Sequence, residues 1–145
     1  MSKCSCITTN SRILVSGSLD TNVKVWDLKM KSCITTFKGH NEEVTCVDIS
    51  PDSMMIASGS MDGSIKLWDM KTNKNLRSIQ YSNVGYPICL SFNPRELCIA
   101  VGGTDKIIRY WELSDFTLVS QTTIDNTAPQ KLLFDSEGRF AFIAF

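Results

Sequence analysis

Ser58-Gly59-Ser60-Met61-Asp62-Gly63-Ser64-Ile65-Lys66-Leu67-Trp68-Asp69 is the stretch on which the fold turns. Asp62-Gly63 signals a tight hairpin, because glycine tolerates the positive φ such a turn needs. The runs on either side, Met55–Gly59 and Ser64–Asp69, are apolar and β-branched enough to be short strands. The same wording stands upstream as Ser16-Gly17-Ser18-Leu19-Asp20 and, weakened, downstream as Val101-Gly102-Gly103-Thr104-Asp105. Trp26-Asp27, Trp68-Asp69 and Trp111-Glu112 are spaced by 42 and then 43 residues. Asp20, Asp62 and Asp105 each lie six residues before those tryptophans. Cys4, Cys46 and Cys89 share one repeat position, and Ile7, Ile49 and Phe92 share another.

The chain therefore divides into repeats at about 1–38, 39–80 and 81–123, with a partial one at 124–145. The partial copy begins its recognisable wording at Leu132-Leu133-Phe134-Asp135-Ser136-Glu137-Gly138. Each copy reads as four short strands, in the second copy near Val44–Ile49, Met55–Gly59, Ser64–Asp69 and Leu76–Gln80. Ser50-Pro51-Asp52-Ser53 is a turn, since proline presets φ and aspartate bonds its own backbone. Asn93-Pro94 and Ser136-Glu137-Gly138 take that role later. Helical periodicity is absent, so the expectation is all-β with no helix longer than one turn.

A four-stranded repeat of about 40–45 residues that ends on Trp-Asp resembles the WD40-repeat family. Gly39-His40, with His40 28 residues before Trp68, completes that family's wording in the second copy. The resemblance implies a β-propeller, with blades packed face to face around a central channel. The chain would supply about three full blades and half of a fourth. Propellers typically have about four to eight blades. The expectation is thus a segment of a longer propeller, with self-association through open ends as the alternative. Phe140–Phe145, an apolar final strand, would be an unpaired edge of the kind natural proteins avoid.

Charge bounds the partners. Acidic and basic residues balance at 15 each, which gives no support for binding nucleic acid or an anionic membrane. No apolar run approaches the ~20 residues of a membrane span. Met1–Cys6 lacks the apolar core of a signal peptide, so an intracellular, cytoplasmic protein is expected. The six cysteines form no Cys-x-x-Cys pair and the single histidine is His40, so neither a metal site nor any other cofactor is expected. Cys33, Cys46, Cys89 and Cys98 lie in apolar strand-like runs and read as buried free thiols.

His40, Ser58 and Asp62 have the residue types of a hydrolytic triad. A triad needs its serine in a cleft beside an oxyanion hole. Ser58 instead sits mid-strand in Ile56-Ala57-Ser58-Gly59, with no Gly-x-Ser-x-Gly turn. The family resemblance implies another role, a buried structural network of His40, Ser58, Asp62 and Trp68. Ser16, Asp20 and Trp26 would repeat it in the first copy without a histidine. Asp105 and Trp111 would keep part of it in the third, where Val101 replaces the serine. No catalytic residue and no enzyme activity are expected.

Ser16–Asp27, the continuation through Cys33-Ile34 and Phe37–His40, and Tyr110–Leu113 resemble the propeller of katanin's regulatory, non-catalytic subunit. That resemblance implies a scaffold that targets a microtubule-severing AAA ATPase, with microtubule or centrosomal proteins as partners and a cytoskeletal location. A ubiquitin-ligase substrate receptor is the alternative within the family, and a propeller enzyme the alternative outside it. In propellers of this family one ring face carries the turns between second and third strands and the loops between blades. Leu19, Met61 and Thr104 would lie there, joined by Asn41, Glu43 and Tyr86. Leu19 and Met61 are apolar at turn tips, where solvent alone favours polar residues, and this marks the face as a candidate protein-binding surface.

Overall fold

The protein was analysed as a computed structural model, which describes residues 4–125, 127–139 and 141–145, and side chains from residue 7 onward. Among the described residues there is no helix, and the strands form three four-stranded antiparallel sheets and one hairpin. The first sheet holds β1 (Cys4–Thr9), β2 (Ile13–Ser18), β3 (Val23–Asp27) and β4 (Ser32–Phe37). The second holds β5 (Val44–Ile49), β6 (Met55–Ser60), β7 (Ser64–Asp69) and β8 (Lys74–Gln80). The third holds β9 (Pro87–Phe92), β10 (Cys98–Gly103), β11 (Ile107–Glu112) and β12 (Thr117–Thr123). The hairpin pairs β13 (Lys131–Phe134) with β14 (Ala141–Ala144). Phe140, which the sequence places in that last strand, lies outside the described residues. Each sheet is a simple meander and forms one blade.

The turns explain the repeat in backbone terms. Gly63 N–H donates to Ser60 O, Thr21 N–H to Ser18 O and Lys106 N–H to Gly103 O, each at 3.1 Å. The three donors have φ of +78°, +70° and +61°. Each hairpin is therefore a three-residue loop that ends in the left-handed region, where glycine is unstrained and threonine or lysine is not. The preceding aspartate braces the loop: Asp62 Oδ1 accepts from Ser64 N–H at 2.9 Å, and Asp20 and Asp105 do the same at 3.2 Å. A second left-handed residue recurs before each fourth strand, at Lys31, Asn73 and Phe116.

Opposite each tryptophan the ladder carries a bulge. Val25 pairs with Thr35 while Trp26 pairs with Cys33, leaving Ile34 as the extra residue. Leu76 and Val119 stand in the same place in the next two blades.

The core is layered between blades. Val15, Val25, Phe37, Val47, Ile56 and Trp68 fill the space between the first and second. Ala57, Leu67, Tyr81, Leu90, Ile99 and Val101 fill the next. Cys89, Ala100, Ile108 and Leu132 seal the third blade to the hairpin. Trp68 packs toward the preceding blade, where it stacks on Phe37 at 5.0 Å between ring centres. The outward hairpin face leaves Leu133 and its cross-strand partner Phe142 exposed.

The first strands of successive blades lie side by side around a cavity of about 580 Å³, lined by Thr8, Thr45, Asp48, Ser91 and Lys131 among others. Asp48 ties three of them together. Its carboxylate accepts from Thr8 Oγ1 at 3.3 Å and from Phe92 N–H at 2.9 Å. Burial raises its pKa, and those donors oppose the rise.

The cysteine expectation needs correction. Cys46 and Cys89 are buried free thiols, but Cys33 is exposed and Cys98 only half-buried. Cys33 lies on β4, the outermost strand of its blade, where an apolar run faces solvent rather than a neighbouring sheet. The side chains of Cys4 and Cys6 are outside the described residues.

Candidate functional site

The second blade brings His40, Ser58, Asp62 and Trp68 together. Trp68 Nε1–H donates to Ser58 Oγ at 2.8 Å. Ser58 Oγ lies 2.7 Å from His40 Nε2, and His40 Nδ1 lies 3.1 Å from Asp62 Oδ2. Asp62 also accepts from Asn41 N–H at 2.9 Å and from Ser64 Oγ at 2.6 Å. One proton arrangement satisfies all four residues: Ser58 O–H donates to Nε2, and Nδ1–H donates to Asp62.

Electrostatics fit this arrangement. Burial pushes the His40 pKa below its ordinary value, against the pull of Asp62, which keeps the ring neutral at physiological pH. Burial would raise Asp62. The donors Ser64 Oγ, Asn41 N–H and Ser64 N–H, with the neighbouring imidazole, instead hold it down at about 2.

The connectivity is that of a triad, but Ser58 is fully buried and its Oγ is engaged by the Trp68 indole. A nucleophile must meet a carbonyl and an oxyanion hole. Ser58 has access to neither.

The other blades vary the plan. In the first, Trp26 Nε1–H donates to Ser16 Oγ at 3.0 Å, and Asp20 braces its own turn. In the third, grouping Trp111 with the network is corrected. Its buried Nε1 has no partner among the described residues, because Val101 carries no acceptor where Ser16 and Ser58 stand. Asp105 belongs to a different cluster, which the repeat pattern did not reveal. Tyr81 O–H lies 2.8 Å from Asp105 Oδ1 and 2.7 Å from Ile107 O, and Arg109 Nη1 donates to Asp105 Oδ2 at 2.8 Å. The guanidinium lies over the Tyr81 ring. Burial and the adjacent carboxylate raise the Tyr81 pKa, so the phenol remains a donor. The available signal was Arg109, at the repeat position of Lys24 and Lys66, with an aromatic just before the missing histidine.

These clusters hold the candidate binding face in place. Met61 N–H donates to Glu43 O at 2.9 Å. Thr104 N–H donates to Tyr86 O, and Tyr86 N–H returns a bond to Thr104 Oγ1, each at 3.0 Å. Each turn tip is thus sewn to the loop that enters its own blade. Gly63 lies close to Ser82 O and Gly85 O, which joins the second blade's tip to the third blade's loop. Met61, Glu43, Asn41, Tyr86 and Thr104 therefore share one end of the blades, and Leu19 holds Met61's place in the first. Leu19 is 43% exposed and Met61 39%. Asn41 is exposed, while Glu43, Tyr86 and Thr104 are half-buried. Val84, 76% exposed on the same loop as Tyr86, extends this surface and was not anticipated. Among the described residues, no group of three His, Cys, Asp or Glu side chains converges to hold a metal.

Known proteins share this plan. A solved structure of U3-55K superimposes with a TM-score of 0.84 over 91% of this chain and 42% of that one, at 17% identity, a likeness of fold. Cell division control protein 4 of Saccharomyces cerevisiae is 60% identical over 37 residues, 26% of this chain and 5% of that protein. Human Protein NEDD1 is 45% identical over 47 residues, 31% of this chain and 7% of its own. A probable E3 ubiquitin ligase complex SCF subunit, sconB of Aspergillus clavatus, is 47% identical over 38 residues, 26% of this chain and 5% of its own. The chain spans only a small fraction of these relatives' length. The WD domain, G-beta repeat family matches residues 2–27, 31–69 and 75–112, each match ending with the third strand of a blade and the last two beginning at the fourth strand of the blade before, and the chain belongs to that WD40-repeat family.

Proposed function

We propose that this chain is a protein-recognition segment of a propeller, that it performs no chemistry, and that it binds through the face carrying Leu19, Met61, Val84 and Tyr86. The observation that carries this reading is the exposure of apolar side chains on turns that buried networks hold rigid. Rigid apolar anchors bind well because little side-chain or loop entropy is lost on association. The one triad-like group of residues is sealed and fully hydrogen-bonded, which supports a structural role for it.

For the partner, the wording of Ser16–Asp27 and Tyr110–Leu113 supports a targeting role in a katanin-type microtubule-severing complex, at the cytoskeleton in the cytoplasm. A second reading, a substrate receptor of a ubiquitin ligase, is supported by the likeness to sconB and to F-box/WD repeat-containing protein 10 of Mus musculus, 37% identical over 43 residues. Affinity recovery with the full-length protein separates them: a katanin-type ATPase with tubulin in one case, subunits of an E3 ubiquitin ligase complex in the other. Leu19→Ser, Met61→Ser and Tyr86→Ser combined should abolish recovery of the partner while leaving the melting temperature near wild type. Undiminished recovery from the folded triple variant would remove the binding site from this face.

A further inference from the structure

The blade ends opposite the Leu19–Met61 face enclose a groove between the first two blades. Leu28 N–H donates to Arg12 O at 3.1 Å, and Met70 N–H to Met54 O at 3.0 Å, so the two loops at this end of each blade are tied together. Asn10 Nδ2–H donates to Ser53 Oγ at 2.8 Å from one blade to the next. Beside that bond lies a cavity of about 200 Å³, walled by Ile13, Ile34 and Met70 and lined also by Arg12 and Asp27.

The chain's own repeat shows which group such a groove accepts. One blade further on, Met55, Leu76 and Leu113 hold the positions of Ile13, Ile34 and Met70. There the ring of Phe116 packs against the core, beneath the Arg77 guanidinium at 4.9 Å. Leu113 is sealed to 4% exposure, while Met70 is only half-buried. The position of Phe116 is Asn73 in the second blade, and that of Arg77 is Thr35 in the first. The backbone at the two positions is the same, with φ +55° at Asn73 and +60° at Phe116. The first groove therefore has the walls of an aromatic site, and neither Asn73 nor Thr35 supplies a ring.

The polar part of the lining narrows the choice of ring. One cation, Arg12, and one carboxylate, Asp27, give it no net charge. Asp27 Oδ1 is taken by the Lys29 and Met30 N–H groups, at 2.8 and 2.7 Å. Among the described residues, Asp27 Oδ2 and the Arg12 guanidinium make no hydrogen bond or ion pair. A phenol answers both: its O–H donates to the carboxylate, its oxygen accepts from the guanidinium, and its ring lies on the apolar wall. A phenylalanine ring would answer neither, and a charged side chain would meet one partner and one like charge.

We infer that the groove between the first two blades binds a tyrosine side chain of a partner protein, with the ring among Ile13, Ile34 and Met70 and the hydroxyl at Arg12 and Asp27. The site is separate from the Leu19–Met61–Tyr86 face, so the triple variant of that face retains it and either reading can fail alone.

Nuclear magnetic resonance of the full-length protein, labelled with carbon-13 at the methionine methyl groups, tests it. The probes are three uncharged amino-acid amides: N-acetyl-tyrosinamide, N-acetyl-phenylalaninamide and N-acetyl-leucinamide. The tyrosine amide should move the Met70 methyl signal saturably and leave that of Met61 in place. Its half-saturation should come at about one-third or less of the concentration the phenylalanine amide needs, the scale of one modest hydrogen bond. The leucine amide should bind more weakly than either. Arg12→Ala should bring the tyrosine and phenylalanine amides level. Asn73→Phe with Thr35→Arg, which copies the next groove, should abolish the Met70 shift. If that double variant fails to fold, Ile34→Asp, at a position 49% exposed, gives the same readout by placing a carboxylate on the apolar wall. No saturable shift at Met70, a phenylalanine or leucine amide that matches the tyrosine amide, or a shift that survives in the folded groove variant would each overturn the inference.

Discussion

The Arg109 guanidinium lies 4.4 Å over the centre of the Tyr81 ring, and both side chains close on the same carboxylate, Asp105. The arrangement needs a planar cation that stacks while it donates, which arginine supplies and lysine does not. Arg109→Lys is therefore expected to destabilise by about 1–3 kcal/mol, since the Arg109–Asp105 pair is almost wholly buried. Chemical denaturation measures it. A double-mutant cycle with Tyr81→Phe should show non-additivity, because the two groups share a partner.

Ser58 serves two buried groups at once, the Trp68 indole and the His40 ring. Ser58→Ala leaves both without that partner and should cost about 1–3 kcal/mol or more. Asp62→Ala removes the acceptor for His40, Asn41 and Ser64 and should cost a similar amount. Thermal melts of the two variants check this. An unchanged melt for Asp62→Ala would mean that the network contributes nothing to stability.

The depressed pKa of His40 gives a pH dependence of definite sign. In the unfolded chain the ring binds a proton below about 6.5, while in the fold it stays neutral to lower pH. The unfolded state then holds more protons, so stability falls as pH drops below about 6.5. Asp62 adds a second loss in the same direction at lower pH, between about 3.9 and its folded value of about 2. Asp48, whose pKa is raised, works in the opposite sense, losing stability as pH rises through its range. The His40 contribution is isolated by comparing the pH profile of the melting temperature with that of His40→Asn. The difference between the two should shrink on acidification below pH 6.5.

Trp111 offers a test by repair. Its buried Nε1–H has no acceptor among the described residues, where Trp26 and Trp68 each donate to a serine. Val101→Thr places a hydroxyl at that serine's position with little change of volume. Burying an unpaired hydroxyl ordinarily costs about 1–3 kcal/mol. Here the new bond should offset most of that, while Val25→Thr, a fully buried control in the first blade, should pay it in full. Equal losses in the two variants would show that the hydroxyl does not reach the indole.

The sequence by itself determined the repeat, the strand order within each blade and the position of every aspartate-braced hairpin. These follow from short-range chemistry: alternation along a strand, a turn residue at a fixed offset, an aspartate bonding its own loop. It also pointed to His40, Ser58, Asp62 and Trp68, because one copy keeps the full set. Tertiary structure decided what depends on the neighbouring blade. Cys33 reads like a core residue but is exposed, since no second sheet covers an outermost strand. Thr21 and Lys106 adopt a glycine-like φ that their side chains disfavour, because the flanking ladders impose the turn. Arg109 stands four residues from Asp105, but Tyr81 reaches that carboxylate from the segment after β8, so no local spacing announces the tyrosine's place in the cluster. Phe116 fills one inter-blade groove and Asn73 leaves another open, a difference that acquires meaning only when one blade packs on the next.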